Sequence, residues 1–461
     1  MKGMYRFIVV LVLFALLLTA CSPAASTQQA PAEGEPAAEQ PAPAEPVNLT
    51  MWVESFGDGL VAQCIIDEGI APYNDINDKG ITIEAIAQPN NWDAVRTAVS
   101  GGGGPDIVIT PGPSYVAEMA AAGQLLPLDE YAEKFGWSEQ FSPWAMSLGK
   151  VDGKLYSIPH EIEALVLFYN KTVFEEHGWQ PPATMDEFLA LAEEIKQAGL
   201  IPLAGGNAEW RPTNEWYLTE FFNAYAGPEK VYKALKGEIP WTDPDFAAGV
   251  NLLTDAMQKG YWQGGLENYY TAMGDEVNTM FGAGEAAMML TGSWSFGDWE
   301  RYFGEAAGNS NDWDWVPTPS RTGEHSFSLG IGSTYSINSA SEHPEAAAEF
   351  LTYYFSPENQ GNIMSKCGVA PAPINITEKE LQGLDPRRVD FITQLSEAAA
   401  AGDIGYTTWT FWPPQSDVYI YEEIEKVWAG TMTTEQYLEG LNDLFQKELA
   451  DGSVPPIPER Q

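Results

Sequence analysis

The side chains of this sequence that could carry chemistry are mainly aromatic rings and carboxylates. The chain has 16 Trp, 20 Tyr and 20 Phe, together with 65 Asp and Glu. It contains neither Gly-x-Ser-x-Gly nor His-Glu-x-x-His, and its four histidines are scattered singly, without a zinc-binding spacing. Ring faces and carboxylates suit the non-covalent binding of a polar solute that has an apolar face. We therefore expect a binding site without a metal or another cofactor.

Two loops in the N-terminal third carry the first candidate binding residues. Trp52, Glu54 and Ser55 stand at the end of the first predicted strand, and Thr110 and Ser114 follow the third. In open α/β sheets, ligands lie beyond the carboxyl ends of the strands. Both loops are therefore expected to border a ligand cleft.

Trp294 is the strongest single candidate, and Ser293 precedes it. The pair stands in a Gly-Ser-Trp turn after an apolar run, whereas a core residue would more naturally precede the glycine. Stacking of the Trp294 ring on a ligand is therefore favoured over the alternative, in which the ring packs in the core.

The elements that must position these loops alternate between strands and helices. Period-two alternation predicts strands at Leu49–Val53 and Ile81–Ile86, and a short apolar run predicts a third at Asp106–Ile109. Helices are expected at Leu60–Ile70 and Trp92–Ser100. Such alternation indicates parallel strands with crossover helices, and therefore an α/β sheet.

Further elements are predicted in the rest of the chain. Leu165–Tyr169 reads as a strand, and Thr184 has the capping-box spacing to Glu187 at the start of a helix. Another helix is expected to begin at Pro344, and a helical region over 418–449 divides in two. No internal repeat is visible, and no later run is long or apolar enough to span a membrane.

The first 46 residues predict the cellular location of the protein. A basic start and a 14-residue apolar run, over 1–20, indicate a secretory signal peptide rather than a buried helix. Cys21 follows small residues, as in the lipobox of bacterial lipoproteins, which implies cleavage before it and its acylation. Residues 22–46 hold eight Ala, six Pro and four Glu, a composition typical of a disordered tether. We expect a protein anchored to the outer face of a bacterial membrane.

The charge of the chain excludes some partners. Removal of 1–20 takes two of the 23 Lys and Arg and no acid, so 21 bases face 65 acids and the net charge is −44. Nucleic acid is excluded because it needs a positive footprint. Anionic lipid is repelled as well, so the lipid on Cys21 is the expected membrane attachment. Solubility, or adaptation to a salty or acidic medium, explains this charge better than a docking role.

About 415 residues follow the tether, enough for two domains with separate cores. Two further cysteines, Cys64 and Cys367, lie 303 positions apart. Outside the cytoplasm such a pair is either a disulfide or two buried thiols, and the spacing does not decide between them.

Several motifs in a fixed order resemble one protein family. They are Gly104–Val108, Gly153–Pro159, Glu163–Lys171, Pro181–Phe188, Phe281–Trp294 and Ala348–Leu351. Together they resemble the extracellular solute-binding proteins of bacterial ABC importers, in the sugar-binding branch that includes the maltose-binding proteins. The resemblance covers residues 47–449.

This resemblance implies two α/β lobes joined by three crossing segments, with the ligand closed into the cleft between the lobes. By analogy the segments cross near 161–163, 329–332 and 368–374. Lobe 1 would comprise 47–162 and 330–371, and lobe 2 would comprise 163–329 and 372–461. Cys64 and Cys367 would both fall in lobe 1, which favours the disulfide.

The resemblance also implies further ligand contacts. Glu163 matches a ligand-contacting acid of the family rather than a solvated strand residue, and Glu161 points to the same face two residues earlier. The family places aromatic rings in loops that correspond here to two groups of residues. They are Trp210, Arg211 and Asn214, and then Trp409 and Trp412. The loop from Thr110 to Ser114 lacks the charged pair of the maltose-binding pattern, which argues against maltose itself.

The expected protein is therefore a monomeric receptor that binds a mono- or oligosaccharide and delivers it to an ABC importer permease. One alternative is a receptor for a cationic solute such as a polyamine, which aromatic rings and acids could also enclose. The other is a secreted glycoside hydrolase, for which two carboxylates about 5–10 Å apart would suffice. With so many acids, such pairs arise by chance.

Overall fold

The computed structural model describes residues 46–56, 59–457 and 459–460. The predicted signal peptide, the cysteine predicted to be acylated, Cys21, and the predicted tether up to residue 45 lie outside the described residues. Within the described part, no helix combines the length and the apolarity that a membrane crossing requires.

Eleven strands are found among the described residues. They are β1 (Val47–Ser55), β2 (Ile81–Pro89), β3 (Ile107–Thr110), β4 (Lys150–Val151), β5 (Lys154–Leu155), β6 (Ile158–Asn170), β7 (Ile201–Ala204), β8 (Ala286–Gly292), β9 (Trp313–Pro317), β10 (Phe327–Ile337) and β11 (Ile404–Tyr406).

The α-helices fall into two groups along the chain. The first ten are α1 (Leu60–Cys64), α2 (Ala71–Ile76), α3 (Asn91–Ser100), α4 (Pro113–Ala121), α5 (Asp129–Phe135), α6 (Trp137–Gln140), α7 (Pro143–Leu148), α8 (Lys171–His177), α9 (Met185–Gln197) and α10 (Thr213–Phe221). The others are α11 (Pro228–Leu235), α12 (Pro244–Gln258), α13 (Leu266–Tyr269), α14 (Gly274–Ala283), α15 (Trp299–Tyr302), α16 (Pro344–Tyr354), α17 (Pro357–Cys367), α18 (Pro386–Ala401), α19 (Thr408–Phe411), α20 (Pro414–Trp428) and α21 (Thr434–Ala450).

The main sheet is mixed and has the strand order β2-β1-β3-β10-β6-β8-β7, with β11 beside β10 and β9 beside β6. The first three strands are parallel, as the strand–helix alternation predicted, and β7 is parallel to β8. The two central strands, β6 and β10, are antiparallel to each other. The predicted α/β class is confirmed. The alternation of strands and helices in the sequence did not predict that the two central strands are antiparallel.

Strands β6 and β10 run through the whole molecule. The start of β6 pairs with β10, and its end pairs with β8 and β9. Likewise, β10 pairs with β11 at its start and with β3 at its end. A third segment joins them, because the backbone N–H of Ile162 donates to the carbonyl of Pro371 at 2.7 Å. The three segments predicted to cross between lobes are thus neighbours in space.

Two large hydrophobic cores lie on either side of this junction. One includes Leu49, Ile107 and Ile158 from strands β1, β3 and β6. The other is larger and includes Leu167 from the far end of β6 and Met288 from β8. One strand therefore contributes to both cores, as two lobes joined by crossing strands require. The residue boundaries of the lobes stay a prediction.

The local signals of helices agree with the structure except near residue 65. Thr184 accepts from the backbone N–H of Glu187 at 3.2 Å, and the Glu187 carboxylate accepts from that of Thr184, so the capping box is confirmed. The predicted helix at 60–70 is instead α1 followed by a π-helical segment, Ile65–Ile70. Pro72 follows directly, and its missing N–H prevents one continuous α-helical ladder from running into α2.

Cys64 and Cys367 form a disulfide between the end of α1 and the end of α17. The bridge joins segments 303 positions apart in the chain, and both ends belong to the core around β1 and β3. Of the two alternatives left open by the spacing, the structure has the disulfide.

This bridge is expected to stabilise the native state. Replacing Cys64 and Cys367 by Ser should lower the free energy of unfolding by about 2–4 kcal/mol, because the unfolded chain gains conformational freedom. Urea denaturation of the double variant measures the change, and the wild-type protein under reducing conditions should show the same loss. An unchanged midpoint in both experiments would contradict a stabilising role.

Candidate ligand-binding site

A cavity of about 430 Å³ lies between the carboxyl ends of β1 and β3, the middle of β6 and β10, and the helices that follow β7 and β8. Its aromatic lining consists of Phe56, Tyr115, Trp210, Trp216, Tyr217, Trp294, Tyr302, Tyr335 and Trp409. Its acidic lining consists of Glu54, Glu161, Glu163, Glu209, Glu215, Asp275 and Asp298. Within the described part of the chain, the lining includes one arginine, Arg301, and no lysine.

Trp294 stands at the centre of an aromatic wall. Its ring centroid lies 5.0 Å from that of Trp216 and 6.3 Å from that of Trp409. The indole folds back over Gly292 so closely that a Cβ at that position would overlap the ring. The Gly-Ser-Trp turn therefore requires its glycine, because the missing Cβ leaves room for the indole beside the end of β8.

Trp409 occupies a place that two glycines leave open. A Cβ on Gly112 would lie 2.7 Å from the Trp409 carbonyl oxygen, and one on Gly330 would lie 2.8 Å from Nε1 of its indole. These separations are too short for a real Cβ contact. The C-terminal part of the chain thus inserts this ring between the start of α4 and the middle of β10.

Phe56 and Trp210 form an edge-to-face pair at the cavity, with ring centroids 5.9 Å apart and planes at 88°. Phe56 follows β1 and is 54% exposed, and Trp210 stands in the loop before α10. The pair joins the part of the chain around the first core to the part around the second.

Glu161 and Glu163 enter the cavity from the middle of β6. Glu161 has φ 59°, in the left-handed region that a non-glycine residue seldom adopts, so the strand is distorted where it crosses. The carboxylate of Glu163 lies against Gly332 of β10, where a Cβ would overlap it. The side chain of Glu163 is thus held inside the protein because the opposite strand has a glycine.

The two carboxyls have different electrostatic surroundings. Burial raises the pKa of Glu161, whereas a hydrogen bond from Ser333 at 3.3 Å and the positive charge of Arg388 lower it in part. Burial raises the pKa of Glu163 well above its usual value, and the charge of Glu161 raises it further. The adjacent His160 adds no charge, because burial lowers its pKa to about 3.

Two more acids of the lining have raised pKa values. Burial raises the pKa of Glu54 to about 7, although the backbone N–H of Asn91 donates to its carboxylate at 3.1 Å. Burial also raises the pKa of Glu215, and the nearby charge of Asp417 adds to this effect. Glu215 accepts a hydrogen bond from the Thr408 hydroxyl at 2.6 Å, so part of its acceptor capacity is used within the protein.

The structure brings together half of the residues predicted to contact a ligand. Those that line the cavity are Glu54, Thr110, Glu161, Glu163, Trp210, Trp294 and Trp409. Those that do not are Trp52, Ser55, Ser114, Arg211, Asn214, Ser293 and Trp412.

Three of the residues outside the lining make hydrogen bonds or packing contacts within the protein. The Ser114 hydroxyl donates to the carbonyl of Trp412 at 2.7 Å, and the Trp412 ring is buried against that of Trp241, with centroids 5.0 Å apart. The Ser293 hydroxyl accepts from the backbone N–H of Ala164 at 3.3 Å. These residues make contacts within the protein and lie outside the cavity lining, and their contact with a ligand stays a prediction.

Arg211 and Asn214 also have partners elsewhere. The guanidinium of Arg211 pairs on the surface with Glu422 at 3.1 Å and Glu425 at 3.3 Å. Asn214 is buried, and its amide accepts from Tyr269 at 2.7 Å and donates into α20. Both residues tie α10 or the loop before it to α20 and lie outside the cavity lining, so their contact with a ligand stays a prediction.

Trp52 and Ser55 are the remaining two. Trp52 is half-buried on β1 and packs against a small core cluster that includes Val95 and Val108. Ser55 is half-buried beside Gly59. Neither residue lines the cavity, which Val53 and Glu54 of this strand reach instead, and their contact with a ligand stays a prediction.

The sequence analysis missed several lining residues, among them Trp216, Tyr115 and Glu215. A signal for Trp216 was available: Thr213, Trp216 and Tyr217 have the i, i+3, i+4 spacing of one helix face, and all three line the cavity. Tyr115 gives no such signal, because its neighbour Ser114 points away and nothing in the loop distinguishes the two.

Sequence comparison identifies the class of protein. Residues 65–361 match the bacterial extracellular solute-binding proteins, so the chain belongs to this family. The family suspected from the motifs is thereby confirmed, as is the two-lobed fold. Its members are binding proteins, and a group of side chains able to hold a metal ion is absent from the described residues.

Particular relatives give more detail. An uncharacterised ABC transporter extracellular-binding protein of Pyrococcus horikoshii is 27% identical over 260 residues, which is 55% of this chain and 56% of that protein. The alpha-glucosides-binding periplasmic protein AglE of Rhizobium meliloti is 30% identical over 184 residues, 36% of this chain and 38% of the relative. This chain thus spans little more than half, or less, of these curated relatives.

Among solved structures, a chitin oligosaccharide binding protein superimposes with a TM-score of 0.73. The match covers 88% of this chain and 99% of that one at 22% sequence identity. At this identity the likeness shows that the two proteins share a fold.

The buried acids of the cavity predict a pH dependence of stability. A carboxyl whose pKa is higher in the folded than in the unfolded state stabilises the fold below its unfolded pKa, near 4.5, and this stability is lost as pH rises through the folded value. The free energy of unfolding should fall less steeply with pH in Glu163→Gln than in wild type, by up to about 1.4 kcal/mol per pH unit.

Denaturant titrations from pH 5 to 8 measure this difference. His160 acts in the opposite direction up to about pH 6.5, because its pKa is lowered on folding, but it is present in both proteins and cancels. Parallel pH profiles of wild type and variant would contradict a raised pKa for Glu163.

Proposed function

We propose that this protein is a receptor for a sugar, which it binds in the cavity between its two lobes. The observation that carries the proposal is the cavity lining, in which the Trp294, Trp216 and Trp409 rings stand beside buried carboxylates in a solute-binding fold. A sugar offers an apolar C–H face to such rings and hydroxyl donors to the carboxylates. The relative named for alpha-glucosides and the structural neighbour named for chitin oligosaccharides support the choice.

Binding is expected to act through closure of the lobes about the three crossing segments. A ligand that touches both lobes favours the closed state only by its differential affinity for that state. The distorted Glu161 and the glycine opposite it lie at the crossing, so the contacts of a ligand with β6 lie where the lobes rotate.

Delivery of the ligand to an ABC importer permease, and attachment through a lipid on Cys21, complete the proposal. The extracellular solute-binding family and the ABC transporter relative support delivery to a permease, and the lipobox-like sequence before Cys21 supports the lipid attachment. A tether of about 25 residues would keep a monomeric receptor near the permease and raise its effective concentration there. We propose binding without catalysis, so the oligosaccharide that stabilises the protein should be recovered uncleaved after long incubation.

A thermal-shift screen over mono- and oligosaccharides tests the main proposal, because a ligand that binds the native state raises the melting temperature. With the sugar so found, Trp294→Ala should weaken binding at least tenfold, since lost ring stacking is worth roughly 1.5 kcal/mol. Calorimetric titration gives the affinities.

Trp144→Ala is the matched control, because Trp144 is half-buried on α7 and does not line the cavity. Its affinity should equal that of wild type. An intact Trp294→Ala protein with unchanged affinity would remove Trp294 from the site, and a screen in which no sugar raises the melting temperature would refute the sugar receptor.

A further inference from the structure

We infer that the ligand carries a protonated amine, so that the receptor is built for a basic sugar and Glu163 is the counter-ion of the ammonium group. The inference rests on the proposed function and narrows the class of ligand. It separates this site from one that would bind a neutral sugar by hydroxyl contacts alone.

The first support is the balance of charge around the cavity. Seven acids and one arginine line it within the described residues, and His160 is neutral because burial lowers its pKa. Burial raises the pKa of Glu54, Glu161, Glu163 and Glu215, so the cavity without a cation accommodates the negative charge of these acids poorly. A cation would compensate it, and charge in a cavity of low dielectric interacts strongly.

The second support is the isolation of Glu163. Its side chain belongs to a residue that is 5% exposed and lines the cavity, yet among the described residues no donor makes a hydrogen bond to its carboxylate. Glu161, by contrast, accepts from Ser333 and feels the charge of Arg388. Glu163 has only another acid, Glu161, as a charged neighbour that shifts its pKa.

Glu448 shows how the same protein treats a buried carboxylate that has a structural purpose. Glu448 is 1% exposed and accepts three hydrogen bonds, from the backbone N–H groups of Gln415 and Ser416 and from the Ser416 hydroxyl, at 2.7–2.9 Å. A buried charge without such donors is costly. Glu163 differs from Glu448 in that it lacks such donors and lines the cavity, so a donor group of a bound ligand can reach its carboxylate.

An ammonium group fits this place better than a hydroxyl. It has three donors and a positive charge, so it satisfies the carboxylate and compensates its charge, whereas a hydroxyl supplies a donor only. The indole of Trp409 lies beside Gly330, the residue of β10 that pairs with Glu163. Trp409 lines the same cavity as Glu163, where its ring can add a favourable contact with a bound cation.

Sugars that differ at one substituent test the inference. Glucose, glucosamine and N-acetylglucosamine form one set, their β-1,4-linked dimers and trimers a second, and the galactose and mannose series a third and fourth. Calorimetric titration at pH 6.5 should show that the amine form of at least one set binds tenfold or more tightly than both the hydroxyl and the acetamide forms. Equal or tighter binding of the neutral forms in every set would overturn the inference.

Glu163→Gln keeps the shape of the side chain and removes its charge. It should weaken binding of the amine form at least tenfold and change binding of the hydroxyl form less than threefold. The control is Glu220→Gln, a buried acid outside the cavity lining, which should leave both affinities unchanged. The comparison of sugars on the wild-type protein decides the matter even if Glu163→Gln does not fold.

The outcomes separate this inference from the function on which it rests. If neutral sugars bind and amines bind no better, the amine is wrong and the sugar receptor stands. If no sugar of either kind binds, both are wrong. Spermidine is included in the same titrations. If spermidine binds and no sugar does, the proposal that the ligand is a sugar is wrong, and the protein is a receptor for linear polyamines.

Discussion

The antiparallel pairing of β6 with β10 is the interaction on which the rest of the structure depends. These two strands belong to both halves of the molecule, since each pairs with different strands at its two ends. Glycines of β10 lie opposite the acids of β6, and their missing Cβ atoms leave space for Glu163 and for the ring of Trp409. Larger side chains at Gly330 or Gly332 would collide with the Trp409 ring or the Glu163 carboxylate, both of which line the cavity, so one pairing both joins the lobes and shapes the cavity.

The buried carboxyls of this cavity lower the stability of the folded protein when they are ionised. Burial raises the pKa values of Glu54, Glu161 and Glu163 because the ionised forms lose hydration without gaining enough donors in return. Surface acids, by contrast, have lowered pKa values where a lysine or a backbone N–H meets them, as at Glu187 and Glu345. The acids of the chain therefore include solvated surface carboxylates, buried carboxylates outside the cavity such as Glu448, and the desolvated carboxyls of the cavity lining. A bound ligand could offset the desolvation cost of the carboxyls in the cavity lining.

Much of the fold could be predicted from local sequence patterns, because strand alternation and helix capping depend on residues that are close together in the sequence. Period-two alternation gave the parallel strands β1 and β2, and the capping box at Thr184 marked the start of α9. The cavity lining was predictable in part: it includes Trp294, which was expected from its turn, whereas Ser114 and Trp412 lie outside it and are joined by a hydrogen bond. Whether a loop side chain faces the cavity or the core depends on partners distant in sequence. Ser114 and Trp412 are 298 positions apart, a distance that no local pattern spans.

The disulfide determines which part of the third crossing segment is held rigidly. It joins the ends of α1 and α17, and both cysteines belong to the core around β1 and β3. Directly after Cys367 comes Gly368, whose backbone packs against Gly297 near the Trp294 turn, and the chain then passes Pro371 on its way to the second core. The covalent bond thus fixes the start of the third crossing segment to one lobe. The proposed rotation of the lobes would then be taken up after this point, in the residues next to Ile162 and the distorted Glu161, close to the proposed ligand contact of Glu163.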